Sequence, residues 1–100
     1  MSIFNELDNY IMSLNNNINK NTTSVYLAYT TTENFIELWF QANSLKFVIM
    51  TGEYDDPRGE VKKLADSYNW KNMRSIVVNN ESDMEYVKDI LKQCYEMTLR

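Results

Sequence analysis

Glu53, Asp55 and Asp56 form the densest carboxylate cluster in the chain, an oxygen-rich arrangement of the kind that hard cations such as magnesium favour. A structural use competes for the same residues. Asp56 precedes Pro57 where a helix start would need its N-cap, and Asp55 would be stabilised by the same helix dipole. Glu60-Val61-Lys62 has the acid-x-Lys order of restriction-type nucleases, but that chemistry needs the element on a strand, whereas Pro57 predicts a helix here. The chain contains no histidine, which removes the commonest general base, the usual partner of Ser and Cys nucleophiles, and the HExxH zinc site. Its one cysteine, Cys94, falls on an apolar helical stripe and reads as a buried, inert thiol. Gly52 and Gly59 have neither P-loop nor GxGxxG spacing. Arg58 and Lys46 could contact an anion or could neutralise Asp55 or Glu37 locally. These residues predict no catalytic group, no metal ligand and no cofactor, and hence a chain that is not an enzyme.

Periodicity supplies the elements that would hold any site. Ile3, Phe4, Leu7, Tyr10, Ile11, Leu14 and Ile18 recur at helical spacing and predict an amphipathic helix from Ser2 to Asn19. Three short runs rich in β-branched and aromatic residues follow, at 25–29, 35–40 and 45–50, and predict a meander. A two-residue turn at Asn43-Ser44 would pair Ala42 with Leu45, Phe40 with Phe47 and Leu38 with Ile49. A loop from Thr31 to Asn34 would pair Tyr29 with Ile36, Leu27 with Leu38 and Val25 with Phe40. Both turns leave one face apolar throughout. The opposite face then carries Tyr26 beside Trp39 beside Val48, with Ala28, Glu37, Gln41, Lys46 and Met50 around them. A middle helix capped by Asp56 would bury Val61, Leu64 and Ala65, and Trp70 and Met73 would lie in its connection to a fourth strand at Ser75–Val78. Ser82 would cap a last helix, with Glu85 completing a capping box. The expected fold is α+β in the order αβββαβα, a mostly antiparallel four-stranded sheet with the terminal helices on one face.

At 100 residues, with 44% hydrophobic and 24% charged residues, the chain is sized for one ordered domain spanning 1–100. A net charge of −4 opposes a phosphate backbone and disfavours generic nucleic-acid binding. A lone cysteine makes no internal disulfide, and no segment resembles a leader or a membrane span, which predicts a cytoplasmic chain without membrane contact.

From Ser24 to Thr98 the chain resembles a small bacterial domain family of unknown function that is labelled a predicted transport protein and is often found C-terminal to nuclease-like domains. The resemblance is carried by Val25-Tyr26-Leu27-Ala28-Tyr29, Asn34-Phe35-Ile36-Glu37-Leu38, Leu45-Lys46-Phe47, Asp55-Asp56-Pro57-Arg58-Gly59, Trp70, and Asp83-Met84-Glu85-Tyr86-Val87 through Gln93-Cys94-Tyr95-Glu96. It implies the same sheet-and-helix order and an accessory role, and it carries over no catalytic residue. With a helix starting at the initiator Met1, the domain is expected to stand alone.

The leading expectation is a regulatory domain that binds a protein partner, such as a nuclease or a defence system, through Tyr26, Glu37, Trp39, Lys46 and Arg58. Large rings on a sheet face commonly mark recognition surfaces. An inhibitor that uses Glu53, Asp55, Asp56, Glu81, Asp83 and Glu85 to imitate nucleic-acid charge is a subtype of it. The alternative is a nucleic-acid or nucleotide-binding accessory domain whose Lys46, Lys62, Lys63, Lys71 and Arg74 converge. Self-association through the aromatic face is a further outcome.

Overall fold

The computed structural model of the chain describes residues 3–32, 34–50, 52–63 and 73–99. The first helix, α1, spans Ile3–Ser13 and buries Leu7 and Ile11, one turn apart. It ends where the Asn-rich stretch begins. The Ser13 hydroxyl donates to the Tyr10 carbonyl at 2.6 Å, and the Asn15 carboxamide oxygen accepts the Asn17 N–H at 2.8 Å. Such short side chains offer the backbone an alternative to the helix. The helix expected to reach Asn19 therefore stops early, and Ile18 is buried ahead of a strand instead.

That strand, β1 (Asn19–Thr22), opens a six-stranded antiparallel sheet completed by β2 (Tyr26–Thr30), β3 (Asn34–Phe40), β4 (Leu45–Ile49), β5 (Lys62–Lys63) and β6 (Arg74–Val78). The spatial order is β1-β2-β3-β4-β6-β5. A second helix, α2 (Met84–Met97), follows β6. The architecture is α+β as expected, but the sheet has six strands rather than four, and the order αβββαβα does not hold. Both added strands are polar and exposed at every position, so neither carries the alternation by which strands are read.

The middle helix fails at its start. Residues 55–61 form a loop in which the Asp56 carboxylate accepts the backbone N–H groups of Arg58, Gly59 and Val61 at 3.2, 2.9 and 2.9 Å. Gly59 turns the chain at φ 69°, a left-handed conformation that favours glycine. Asp-Pro thus begins a side-chain-closed turn, and Lys62 and Lys63 continue as β5. Leu64, Ala65 and Trp70, expected in that helix and its connection, lie outside the described residues. The entry to α2 also differs. Asn80, not Ser82, supplies the cap, accepting the Ser82 N–H at 3.0 Å ahead of a 3-10 turn at Glu81–Asp83. The Glu85 side chain remains 91% exposed and closes no capping box.

Registers decide which residues share a face. Leu27 pairs with Leu38 and Tyr29 with Ile36, as expected, but Thr30 pairs with Asn34, which makes Phe35 the extra residue of a β-bulge. The β3–β4 turn encloses two residues, as expected, but one position earlier, at Ala42-Asn43. Gln41 and Ser44 close it, N–H to carbonyl, at 3.0 Å, so Phe40 faces Leu45 and Leu38 faces Phe47. A shift of two residues preserves the face, since side chains alternate with period two. Val25 lies outside the strand and is exposed. Leu27, Tyr29, Ile36, Leu38, Phe47, Ile49, Ile76 and Val78 form one core with Leu7 and Ile11 of α1 and Val87, Ile90, Leu91 and Cys94 of α2, and both helices cover this one sheet face.

Leu38 is fully buried, whereas Phe40, two residues on, is 57% exposed. Leu38→Ala is expected to cost about 2–5 kcal/mol in urea unfolding, and Phe40→Ala about 0.5 kcal/mol or less.

Candidate interaction surface

On the sheet face away from the helices, pairing places Tyr26 opposite Trp39 and Trp39 opposite Lys46. The two rings lie 5.0 Å apart at 32°, within the range where aromatic pairs attract. Three of the five sequence-predicted partner residues thus form one row. Val48 is not beside Trp39, as expected, but opposite Glu37, which itself faces Ala28. Ala28, Glu37 and Val48 are buried, so the middle of this face is closed and Glu37 lies beneath the surface rather than on it. Burial raises the Glu37 carboxyl above its ordinary 4.5, and hydrogen bonds from Trp39 and Asn34 offset only part of that. The Trp39 indole N–H donates to Glu37 Oε1 at 3.4 Å.

Arg58, the fifth predicted residue, belongs to the helix side. Its guanidinium pairs with Asp83 at 2.9 Å and Glu60 at 2.7 Å and lies 4.6 Å from the centre of the Tyr86 ring. The Tyr86 hydroxyl donates to the Asp56 carboxylate and accepts the Glu60 N–H at 3.3 Å. Gln93 holds both the N–H and the carbonyl of Asp55, at 2.7 and 3.0 Å. The acidic loop is therefore strapped onto α2 by Tyr86 and Gln93. Burial raises the Asp56 carboxyl, but the hydrogen bonds from Tyr86, Val61, Gly59 and Arg58 outweigh it and hold the group below its ordinary 3.8. Among the described residues no group of three or more Asp, Glu, Cys or His side chains is placed to hold a metal ion.

The β3–β4 turn carries a feature that sequence reasoning missed. Phe40 ends the apolar stripe of β3 and stands exposed, its ring 5.3 Å from that of Phe4. A cleft of about 110 Å³ lies between Trp39, Phe40, Gln41, Lys46 and Val48. A second, of about 280 Å³, is lined by Ile3, Phe4, Gln41, Ser44 and Leu45, among others. Gln41, held by a 2.7 Å hydrogen bond from the Ser44 hydroxyl, borders both. Aromatic surface thus wraps the turn from one sheet face to the other, with a polar rim. The available signal was Phe40 itself, a large ring directly before a polar turn.

The basic residues do not converge among the described positions. Lys46 shares its face with Val77, and Lys62 pairs with Ser75 on that same face, whereas Lys63 and Arg74 pair on the other. Lys71 lies outside the described residues. Cys94 is buried, donates to the Phe35 carbonyl at 3.2 Å, and is pushed up to about 11 by burial. No described helix is long and apolar enough to cross a membrane.

No protein-family model matches the chain, and no solved structure gives a significant match. Among curated proteins, an uncharacterized protein of Haemophilus influenzae is 27% identical over 94 residues, which is 91% of this chain. The chain spans 31% of the length of that relative.

The two shifted carboxyls affect stability in opposite senses. Glu37, raised in the fold, costs stability once pH rises above 4.5, so Glu37→Gln is expected to be the more stable protein at pH 7, with the difference closing in acid. Asp56, depressed in the fold, contributes stability above 3.8 that is lost as pH falls through its lower folded value. Asp56→Asn is expected to be weaker at pH 7 and to lack that acid-side loss. Urea midpoints measured from pH 3 to 7 test both.

Proposed function

We propose that the chain is a non-catalytic interaction module that docks a protein partner at the β3–β4 turn. The observation that carries this reading is Phe40, 57% exposed, which lines the smaller cleft and lies against Phe4 of the second, the two clefts sharing Gln41. A large ring surrounded by polar groups is the anatomy of an interface anchor. Trp39 and Phe4 extend it to either side, and their clefts would receive apolar side chains of the partner. Tyr26 and Lys46 continue the surface along the outer face, while Glu37 supports Trp39 from below.

The match to less than a third of a longer protein supports a modular role, since the same unit recurs there beside other sequence. The regulatory form of the proposal, an accessory or inhibitor of a nuclease, rests on the resemblance of residues 24–98 to a domain family found beside nuclease-like domains.

A photo-crosslinking phenylalanine analogue at Phe40, with the same analogue at exposed Lys92 as control, tests the proposal in native lysate. One protein adduct formed at position 40, absent at 92 and competed by unlabelled wild type but not by Trp39→Ser, is the expected result. Adducts dominated by nucleic acid would overturn it in favour of the accessory nucleic-acid reading, and adducts only with itself in favour of self-assembly.

A further inference from the structure

At the other end of β3 three separate segments converge on a cavity of about 330 Å³, a size at the lower end of the roughly 300–1,000 Å³ typical of small-molecule sites. Asn15 and Asn17 reach it from the turn between α1 and β1, Thr31 and Thr32 from the loop between β2 and β3, and Tyr95 and Thr98 from the end of α2. We infer that this cavity binds a small, uncharged, polyhydroxylated ligand of monosaccharide size.

The hydrogen-bonding pattern carries the inference. Asn15 Nδ2 donates to the Tyr95 phenol oxygen at 2.6 Å, which leaves the phenol proton to be given to a ligand. Asn15 is itself fixed by the Asn17 N–H on its Oδ1. Thr98 Oγ1 donates to the Tyr95 carbonyl at 2.6 Å and keeps its lone pairs for an incoming donor. The Thr31 and Thr32 hydroxyls each offer one donor and two acceptor positions. Tyr95 is only 7% exposed and packs 5.9 Å from Phe35, so its phenol is held in place before any ligand arrives. A wall of groups that both give and accept hydrogen bonds matches sugar hydroxyls, which do the same. Leu99, 68% exposed, adds an apolar edge suited to ring C–H groups.

Charge argues for a neutral ligand. The cavity lies at the C-terminal end of α2, the negative end of the helix dipole, and Glu96 stands in that last turn without a basic residue. An anion is disfavoured there, and the described lining supplies no carboxylate to hold a cation.

Amide NMR of the full chain, titrated with glucose, galactose, N-acetylglucosamine and, for comparison, inorganic phosphate, tests the proposal. Saturable shifts centred on Thr31, Thr32 and Thr98 with at least one sugar are expected, and none with phosphate. Thr31→Val should weaken binding about threefold to tenfold, the worth of one hydrogen bond. Thr32→Val, at an exposed position, gives the same readout should Thr31→Val fail to fold. Absence of saturable shifts with every sugar, equal binding in the folded valine variant, or a preference for phosphate would overturn the proposal.

Discussion

One extra residue in β3 governs how the two layers meet. Because Tyr29 pairs with Ile36 but Thr30 with Asn34, Phe35 is bulged, and it joins its neighbour Ile36 in the core rather than alternating to the outer face. There it meets the Tyr95 ring and offers its carbonyl to the Cys94 thiol. A bulge bends and twists its strand. This one anchors α2 to the start of β3, leaves Tyr95 at the edge of the polar cavity, and sends the strand on to finish with Phe40 outside the core. The two candidate surfaces lie at opposite ends of the strand that the bulge sets.

How much of this was legible in the sequence depended on whether a residue's role follows from its side chain alone. The β2–β3 register could be read because Tyr26-Leu27-Ala28-Tyr29 and Ile36-Glu37-Leu38-Trp39 alternate cleanly, and the core face survived an error of two residues at the next turn. β1 could not be read, since Asn19-Lys20-Asn21-Thr22 is a strand made by pairing with β2 and buries none of its own side chains. Asp56-Pro57 was ambiguous in principle. The same carboxylate can cap a helix or close a turn, and only the conformation of Gly59 and the reach of Tyr86 from thirty residues away decide between them.

The candidate surfaces were legible in part. Adjacent strands had to bring Tyr26, Trp39 and Lys46 together once the registers were right, but the burial of Glu37 depends on packing over the sheet, and Arg58 was misplaced along with the helix that was to hold it. Asn15 and Asn17 carry no periodic signal, and their use emerges only where the chain folds Tyr95 against them.

The single cysteine has a practical side. Its thiol is buried where α2 rests on β3, and a protonated, enclosed sulfur does not react with alkylating reagents. Modification therefore requires an opening that exposes this sulfur. The native chain thus carries its own reporter of hidden opening, one that needs no engineered residue.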